Sequence, residues 1–408
     1  MTTSLRFFLE DSNTPIYKRI INCLTESLNE KGHEARISNP QHHDSIDHYI
    51  DALIQGSGDY ALITNPYSIV ASYIASADLF TFELLPCRLI FLHHENCITQ
   101  IGRDESFLTK LFMAYQKTSG RSHHFCIEAS NCDDLRQLGL QNVYPIHHAS
   151  EFSISPQNQI IENGTTFVGH VLDLPLDIKD KNREHLIKRD YWGRICDLSH
   201  SINASAKSIT ENKYTSKEYP ELLAIKGHYI GQLHDCSILM RAEILKRVGN
   251  QPIDIFGGDP SYLHGYELLR KINDNRFTYH PPTISAEETA YVYHYSHINL
   301  NITSFQFDTA VINRVIDIGA AGGFPLTDWK EDLAMVTSVH KEISYKSPEE
   351  LRYKIEYYSR REHFKERLEI CHTLHDEIQA NYTYCEVVEH LLGKLNESPE
   401  SSPVAARA

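Results

Sequence analysis

The chain has 408 residues, with 39 Lys and Arg against 54 Asp and Glu, for a formal net charge of −15. That sign excludes a general binder of nucleic acid or anionic membrane, which depends on Lys/Arg-rich surface, but leaves room for a local basic pocket that holds phosphate. With 41% hydrophobic and 10% aromatic residues, wholesale disorder is excluded too, and the length predicts two to three domains at about 100–200 residues each.

Ser4–Glu10 has the length of a buried strand. After a polar loop, Pro15 suits a first helical position, and Ile16, Ile20, Ile21, Leu24 and Leu28 recur at helical spacing up to the stop signal Gly32. Asp59–Thr64, Cys87–Leu92, His124–Glu128 and Asn142–Ile146 read as further strands, with a helix over Cys132–Leu138. Strands alternating with helices over residues 1–150 predict an α/β domain with a mostly parallel, doubly wound sheet. Ligands bind outside the carboxyl ends of such strands. That rule makes Glu10, Asp11, His93, His94, Glu95 and Glu128 cleft candidates. Residues 151–165 are polar and aperiodic and read as a linker, and Thr166–Gly169 opens a second sheet in a domain spanning 166–380.

In that second half, helical pattern covers Lys181–Ile209 and Glu221–Val248. Ile253–Phe256 is a strand running into Gly257–Gly258, where backbone can approach a ligand closely. Ile298–Ile302 is the next strand, with Asn299 and Asn301 in alternation. Val311, Val315, Ile316 and Ile318 form a helical stripe that ends at Gly322–Gly323, and Phe324–Thr327 is a strand again. The Gly319–Gly323 cluster is not a dinucleotide fingerprint. It follows a helix and precedes a strand, the reverse of the order that points a helix amino terminus at a pyrophosphate. The phosphate-binding end is instead expected at Thr303–Asn313, where backbone N–H groups, the Thr303 and Ser304 hydroxyls and Arg314 converge. Asp317 lies three residues after Arg314 on the same helix face and suits ribose hydroxyls. The plain alternative for Arg314 and Asp317 is a surface ion pair.

The nine Cys are scattered with no CxxC pair, and the 24 His include doublets but no HExxH. The sequence therefore predicts small packing thiols in a reducing, cytoplasmic setting and no metal. No apolar run approaches the roughly 18–20 residues of a membrane-spanning helix. Met1–Asp11 does not read as a signal peptide.

Ile298–Thr303, Asn313–Asp317, Ala320–Asp328, Asp332–Leu333, Glu342–Leu351, Tyr357–Tyr358 and Asn381–Tyr384, in that order and spacing, resemble the carboxy-terminal domain of glycosyltransferases related to spore maturation protein CgeB, within the glycosyl transferases group 1 set. The resemblance runs from about Ile253 to Val388. It implies a GT-B-like fold: two Rossmann-like domains facing a central cleft. The second would bind a nucleotide-diphosphate sugar, and the first would present an acceptor hydroxyl on a protein, glycan or small molecule. No metal or other cofactor is implied. Asp317 falls on the second Glu of that group's Glu-x7-Glu motif, which typically binds ribose; Thr309 stands where the first Glu would be. Gly322 and Gly323 would pack beside the nucleotide, and Gly257 and Gly258 near base or ribose. A last helix, 381–396, would cross back to the first domain through Tyr382, Val387, Val388 and Leu391, and residues 397–408 form a disordered tail.

An inverting transfer also needs a base for the acceptor proton. His93, His94 and Asp11 are the expected catalytic residues, with Glu95 and the linker-side His147 and His148 behind them. Donor binding is assigned to Gly257, Gly258, Asn299, Asn301, Thr303, Ser304, Asn313, Arg314, Asp317, Gly322 and Gly323. The alternatives are a catalytically silent GT-B module that binds a nucleotide or protein partner, and another nucleotide-sugar enzyme such as an epimerase.

Overall fold

A computed structural model describes residues 4–56, 58–99, 104–156, 163–169, 197, 201–202, 204–208, 218–257 and 276–397. The chain divides into two compact units. One comprises residues 1–147, 206–228 and 384–408; the other comprises 148–205 and 229–383.

The first unit carries a six-stranded sheet in the order Glu34–Ser38, Arg6–Glu10, Tyr60–Ile63, Arg88–His93, Ser122–Cys126, Val143–Pro145. Every pairing is parallel. Its central strands are near-continuous apolar runs, as a sheet covered on both faces requires: Tyr60–Ile63 is buried throughout and Arg88–His93 from Leu89 to Leu92. Pro15 opens the first helix, Pro15–Glu30, which buries Ile20, Ile21, Leu24 and Leu28 on one face. The edge strand Glu34–Ser38 was not expected. It buries only Ala35 in a polar stretch, so it carries no apolar pattern to read.

The second unit has a six-stranded sheet in the order Phe277–His280, Ile253–Phe256, Asn163–Val168, Ser296–Asn301, Pro325–Asp328, Ser344–Tyr345, again wholly parallel. Its core joins Phe167, Ile298, Leu300, Ile316 and Leu326 of the sheet and the Asn313–Ala320 helix to Leu374 and Ile378 of the Phe364–Asn381 helix.

The domain boundaries differ from those expected. The first unit ends at His147, and Phe152 already belongs to the core of the second. The strand Asn163–Val168 begins inside the stretch read as linker. Residues 206–228 group with the first unit, where Lys226 at the start of the Tyr219–Arg247 helix donates to both Asp134 carboxylate oxygens, at 2.6 and 2.9 Å. No sequence pattern marks that return. From Tyr384 the chain is again part of the first unit: the Tyr384–Glu397 helix, with Val387, Val388 and Leu391 buried, packs on Pro15–Glu30, and Lys31 pairs with Glu389. Tyr382 does not join them. Its hydroxyl donates to the Met335 carbonyl, and its ring lies in the second unit's core. Most of the expected helix 181–209, and the tail beyond Glu397, lie outside the described residues. Among those residues no helix is long and apolar enough to cross a membrane.

Both strand orders contain a switch point, where successive connections leave one strand in opposite directions and open a crevice at the carboxyl edge. In the first unit it lies between Arg6–Glu10 and Tyr60–Ile63; in the second, between Asn163–Val168 and Ser296–Asn301.

Candidate functional site

At the second unit's switch point, Asn163–Val168 ends in Gly169 and Ser296–Asn301 leads into Thr303 and Ser304. Gly169 takes φ +149° and its N–H donates to the Phe256 carbonyl at 2.8 Å. Gly257, at φ +133°, continues the neighbouring strand so closely that a Cβ there would stand 2.7 Å from the Gly169 oxygen. Two bare main-chain segments thus border the crevice, and only glycine permits that approach.

Arg314, in the first turn of Asn313–Ala320, lies over the Phe167 ring at 5.5 Å and donates from Nη1 to Asn301 Oδ1 at 2.9 Å. Asn301 is itself fixed, donating to Thr303 Oγ1 at 3.1 Å and Thr327 Oγ1 at 2.9 Å. The Thr303 N–H donates to Asp328 Oδ1 at 2.7 Å. Arg241, from the Tyr219–Arg247 helix, is pushed down to about 10, first by desolvation and then by the positive charge of Arg314, with Asp328 opposing. Lys330 Nζ lies 3.9 Å from Asp328 Oδ2. Arg241 and Lys330 therefore lie near the Asp328 carboxylate, and Arg314 lies near enough to Arg241 to act on it, in a chain whose net charge is −15. The Asn313–Ala320 helix begins at the same edge with no side-chain cap, so its positive dipole end adds to this field.

Asn301, Thr303, Asn313, Arg314 and Gly257 thus meet at one edge. Ser304 lies beside them, its Oγ 3.1 Å from Ser237 Oγ, which in turn accepts from the Phe305 N–H. Asp317 is 2% exposed, which removes the surface ion pair as an account of it. Three expected donor residues lie elsewhere. Asn299, inside its strand, accepts from Thr166 Oγ1 and donates to the Tyr293 carbonyl, each at 2.9 Å, and so ties the sheet together. Gly322 and Gly323 precede the amino end of Pro325–Asp328, the opposite edge of the sheet. A Cβ at either would stand 2.5 Å from a backbone oxygen, of Ile154 and Tyr293 respectively, so close packing requires these glycines. Gly258 lies outside the described residues. Arg241, Lys330 and Gly169 were missed. The strand ending in glycine was the available signal for Gly169; nothing in the pattern of the long helix sets Arg241 apart.

In the first unit, the switch-point crevice is a polar cavity of about 490 Å3 lined by Asp11, Ser12, Asn13, Asn39, Gln41 and Asn65, among others. Asp11 is held at its rim, accepting from Asn39 Nδ2 at 3.0 Å and from the Ser12 N–H at 2.8 Å. Glu10 accepts from the Ile69 and Val70 N–H groups at 2.7 and 2.9 Å, and burial raises its pKa. His93 and His94, both half-buried, line a separate, narrow space of about 40 Å3, room for a few waters. Burial pushes His93 down to about 3 and His94 to about 4. His93 Nε2 is 3.2 Å from His124 Nδ1. The pair expected to act as bases on a bulky acceptor is therefore weakly basic and borders a space too small for one, and Asp11 is the expected catalytic residue that lines the larger cavity. Glu95 accepts from the Tyr17 hydroxyl at 3.0 Å, and Glu128 and His148 are buried.

Residues 240–393 match a family model described as "Glycosyl transferase-like". No curated protein sequence matches the chain. Similar solved structures include sucrose-phosphate synthase from Thermosynechococcus elongatus, with 10% identity, TM-score 0.55, and 96% of this chain and 99% of that one covered. Another is Alr3699/HepE from Anabaena in complex with UDP-glucose, with 9% identity, TM-score 0.56, and 97% and 100% covered. A glycosyltransferase from Rickettsia africae follows, with 8% identity, TM-score 0.51, and 98% and 100% covered. The chain carries the two parallel-sheet domains of the GT-B fold, and the stretch 240–393 is similar to a glycosyl transferase-like family.

Proposed function

We propose that this protein is a glycosyltransferase that moves a sugar from a nucleoside-diphosphate sugar to an acceptor hydroxyl. The observation that carries the reading is Arg314 held by Asn301 and Phe167 at the switch point of the second unit, with Arg241 near enough to feel its charge. The single Asp328 carboxylate offsets only part of this positive charge, and a diphosphate would supply two linked anionic groups to balance the rest. The family match spans both arginines.

In the transfer, the bond from anomeric carbon to diphosphate oxygen breaks as the acceptor oxygen bonds to that carbon and loses its proton. Negative charge grows on the leaving diphosphate. Arg314, fixed by Asn301 and Phe167, and Arg241 are placed to stabilise it, with the helix amino end at Asn313. Their charge supports a step that uses no metal. Asp317 would accept the ribose hydroxyls, and this Asp in place of Glu is what favours the CgeB-like branch. The polar cavity beside Asp11 suits a polyhydroxyl acceptor, a glycan or a small molecule, and Asp11 would take the proton. Because Alr3699/HepE was crystallised with UDP-glucose, uridine is the first nucleobase to try.

The test is calorimetric titration with UDP, GDP and their sugars, followed by turnover assays over an acceptor panel. Tight nucleoside-diphosphate binding, with diphosphate release that requires acceptor, supports transfer. Conversion of donor without acceptor would instead favour an epimerase. A second reading, a silent nucleotide-binding module, rests on Thr309, which donates to Asp332 Oδ2 at 3.1 Å where the family places a carboxylate. Binding with no turnover on any acceptor would favour it.

A further inference from the structure

We propose that the first unit holds a zinc ion, bound by His93, Cys97 and Cys126 with Cys132 completing the site. His93 and Cys126 are register partners at the carboxyl ends of neighbouring parallel strands, so their side chains leave the sheet on the same face. Cys97 arrives from the loop that follows His93, its N–H held by Asn131 Oδ1 at 2.9 Å. That bond sets its Sγ 4.0 Å from the Sγ of Cys126. A ring nitrogen of His93 and both sulfurs lie within 4.8 Å of one another. Donors on a tetrahedral zinc, at about 2.3 Å for sulfur and 2.0–2.1 Å for nitrogen, stand roughly 3.5–3.8 Å apart. The three groups are therefore already near that spacing, and small rotamer changes close it. Cys132, on the helix Ala129–Gln137, has its thiol beside Cys126 and would need to turn towards His93 and Cys97 to complete the set.

The surroundings fit a metal ligand set better than a chance meeting of thiols. His93 is oriented by His124, whose Nε2 lies 3.2 Å from Ser122 Oγ. A relay of this kind fixes the tautomer of a ligating histidine and aims its other nitrogen. Each cysteine that ligates releases one proton to solvent, and no oxidation state changes. Two or three thiolates with an imidazole select zinc over the harder magnesium or calcium. No local motif announces the set, because its ligands come from two strand ends, a loop and a helix. The ion would clamp Arg88–His93, Ser122–Cys126 and Ala129–Gln137 together beside the acceptor-side cavity. It takes no part in the transfer and lies in the other unit from the diphosphate site, so this proposal stands or falls apart from the proposed function.

The full chain, expressed in zinc-supplemented medium and dialysed against metal-free buffer, is expected to retain about one zinc per chain by elemental analysis. Cobalt replacement is expected to give thiolate-to-metal charge-transfer bands and a tetrahedral d–d spectrum. Cys97→Ser and Cys126→Ser should lose both signals, while Cys371→Ser, which removes a buried thiol of the other unit, should keep them. Circular dichroism identifies any variant that fails to fold, and for such a variant the cobalt spectrum of the unaltered chain decides. Wild-type protein with neither zinc nor a cobalt spectrum would overturn the proposal, as would a native mass showing a Cys97–Cys126 disulfide.

Discussion

The backbone of Gly169 lies against the guanidinium of Arg314: a Cβ at residue 169 would stand 2.7 Å from Nη2 and 3.3 Å from Cζ. The residue just past one strand therefore sets where the main cation for the proposed diphosphate sits. Gly169→Ala is expected to displace Arg314 from Phe167 and Asn301 and weaken nucleoside-diphosphate binding about tenfold or more, since a charge-assisted bond contributes about 1.5–3 kcal/mol. The φ of +149° adds backbone strain to the substitution. Calorimetry with UDP, beside a melting curve, separates lost affinity from lost fold.

Arg314→Ala should cost about 10- to 100-fold in affinity for a diphosphate. Arg314→Lys should recover little of it, because an ammonium has no planar fork to bridge Asn301 and a phosphate. Asp317→Ala should weaken nucleoside binding while leaving inorganic diphosphate binding nearly unchanged. Competition between UDP and diphosphate in the three variants checks this division.

Lys226 and Asp134 form a shielded pair in the first unit, with side chains 11% and 5% exposed. Burial raises the Asp134 pKa against the opposing pull of Lys226. Lys226→Met strands a buried carboxylate and is expected to destabilise the protein by about 3–5 kcal/mol. Asp134→Asn in the same chain should restore most of it. Urea unfolding of the two single variants and the double variant measures the coupling.

His297 is pushed down to about 4 by burial and by the charge of Arg367, whose guanidinium lies against its Nε2, with the Tyr358 carbonyl opposing. Below an ordinary histidine value of about 6.5 the unfolded chain takes up a proton that the folded chain refuses until about pH 4. Stability is therefore lost as pH falls through that window, and this residue contributes no slope above it. Partial solvent access limits the effect to about 1 kcal/mol per pH unit or less. His297→Gln should flatten the dependence of unfolding free energy on pH between about 4 and 6.5, measured in denaturant titrations.

The buried strands and the helix faces were legible because apolar runs and helical spacing are local. Leu89–Leu92 and Val315–Ile318 announce themselves without their neighbours. Edge strands such as Glu34–Ser38 carry no such run. The return of residues 206–228 to the first unit shows in the buried Lys226–Asp134 ion pair, 92 positions apart, and in Gly227 packed on the Ile98 backbone, contacts that no local pattern announces. Thr303 and Arg314 are legible as neighbours because a strand followed by a helix places them at one edge. Arg241 is not, since a cation midway along a helix looks the same whether it faces solvent or a second arginine. Gly322 and Gly323 were given a nucleotide to pack against; strand direction puts them at the other edge, against Ile154 and Tyr293.

The most direct test of the account is calorimetric titration of UDP and UDP-glucose into the intact chain and into Arg314→Ala. The account predicts saturable binding of the diphosphate by the intact chain, at least tenfold weaker in the variant, with UMP binding little affected by the substitution. Equal affinity in the two proteins, or no binding of any nucleoside diphosphate to the intact chain, would contradict it.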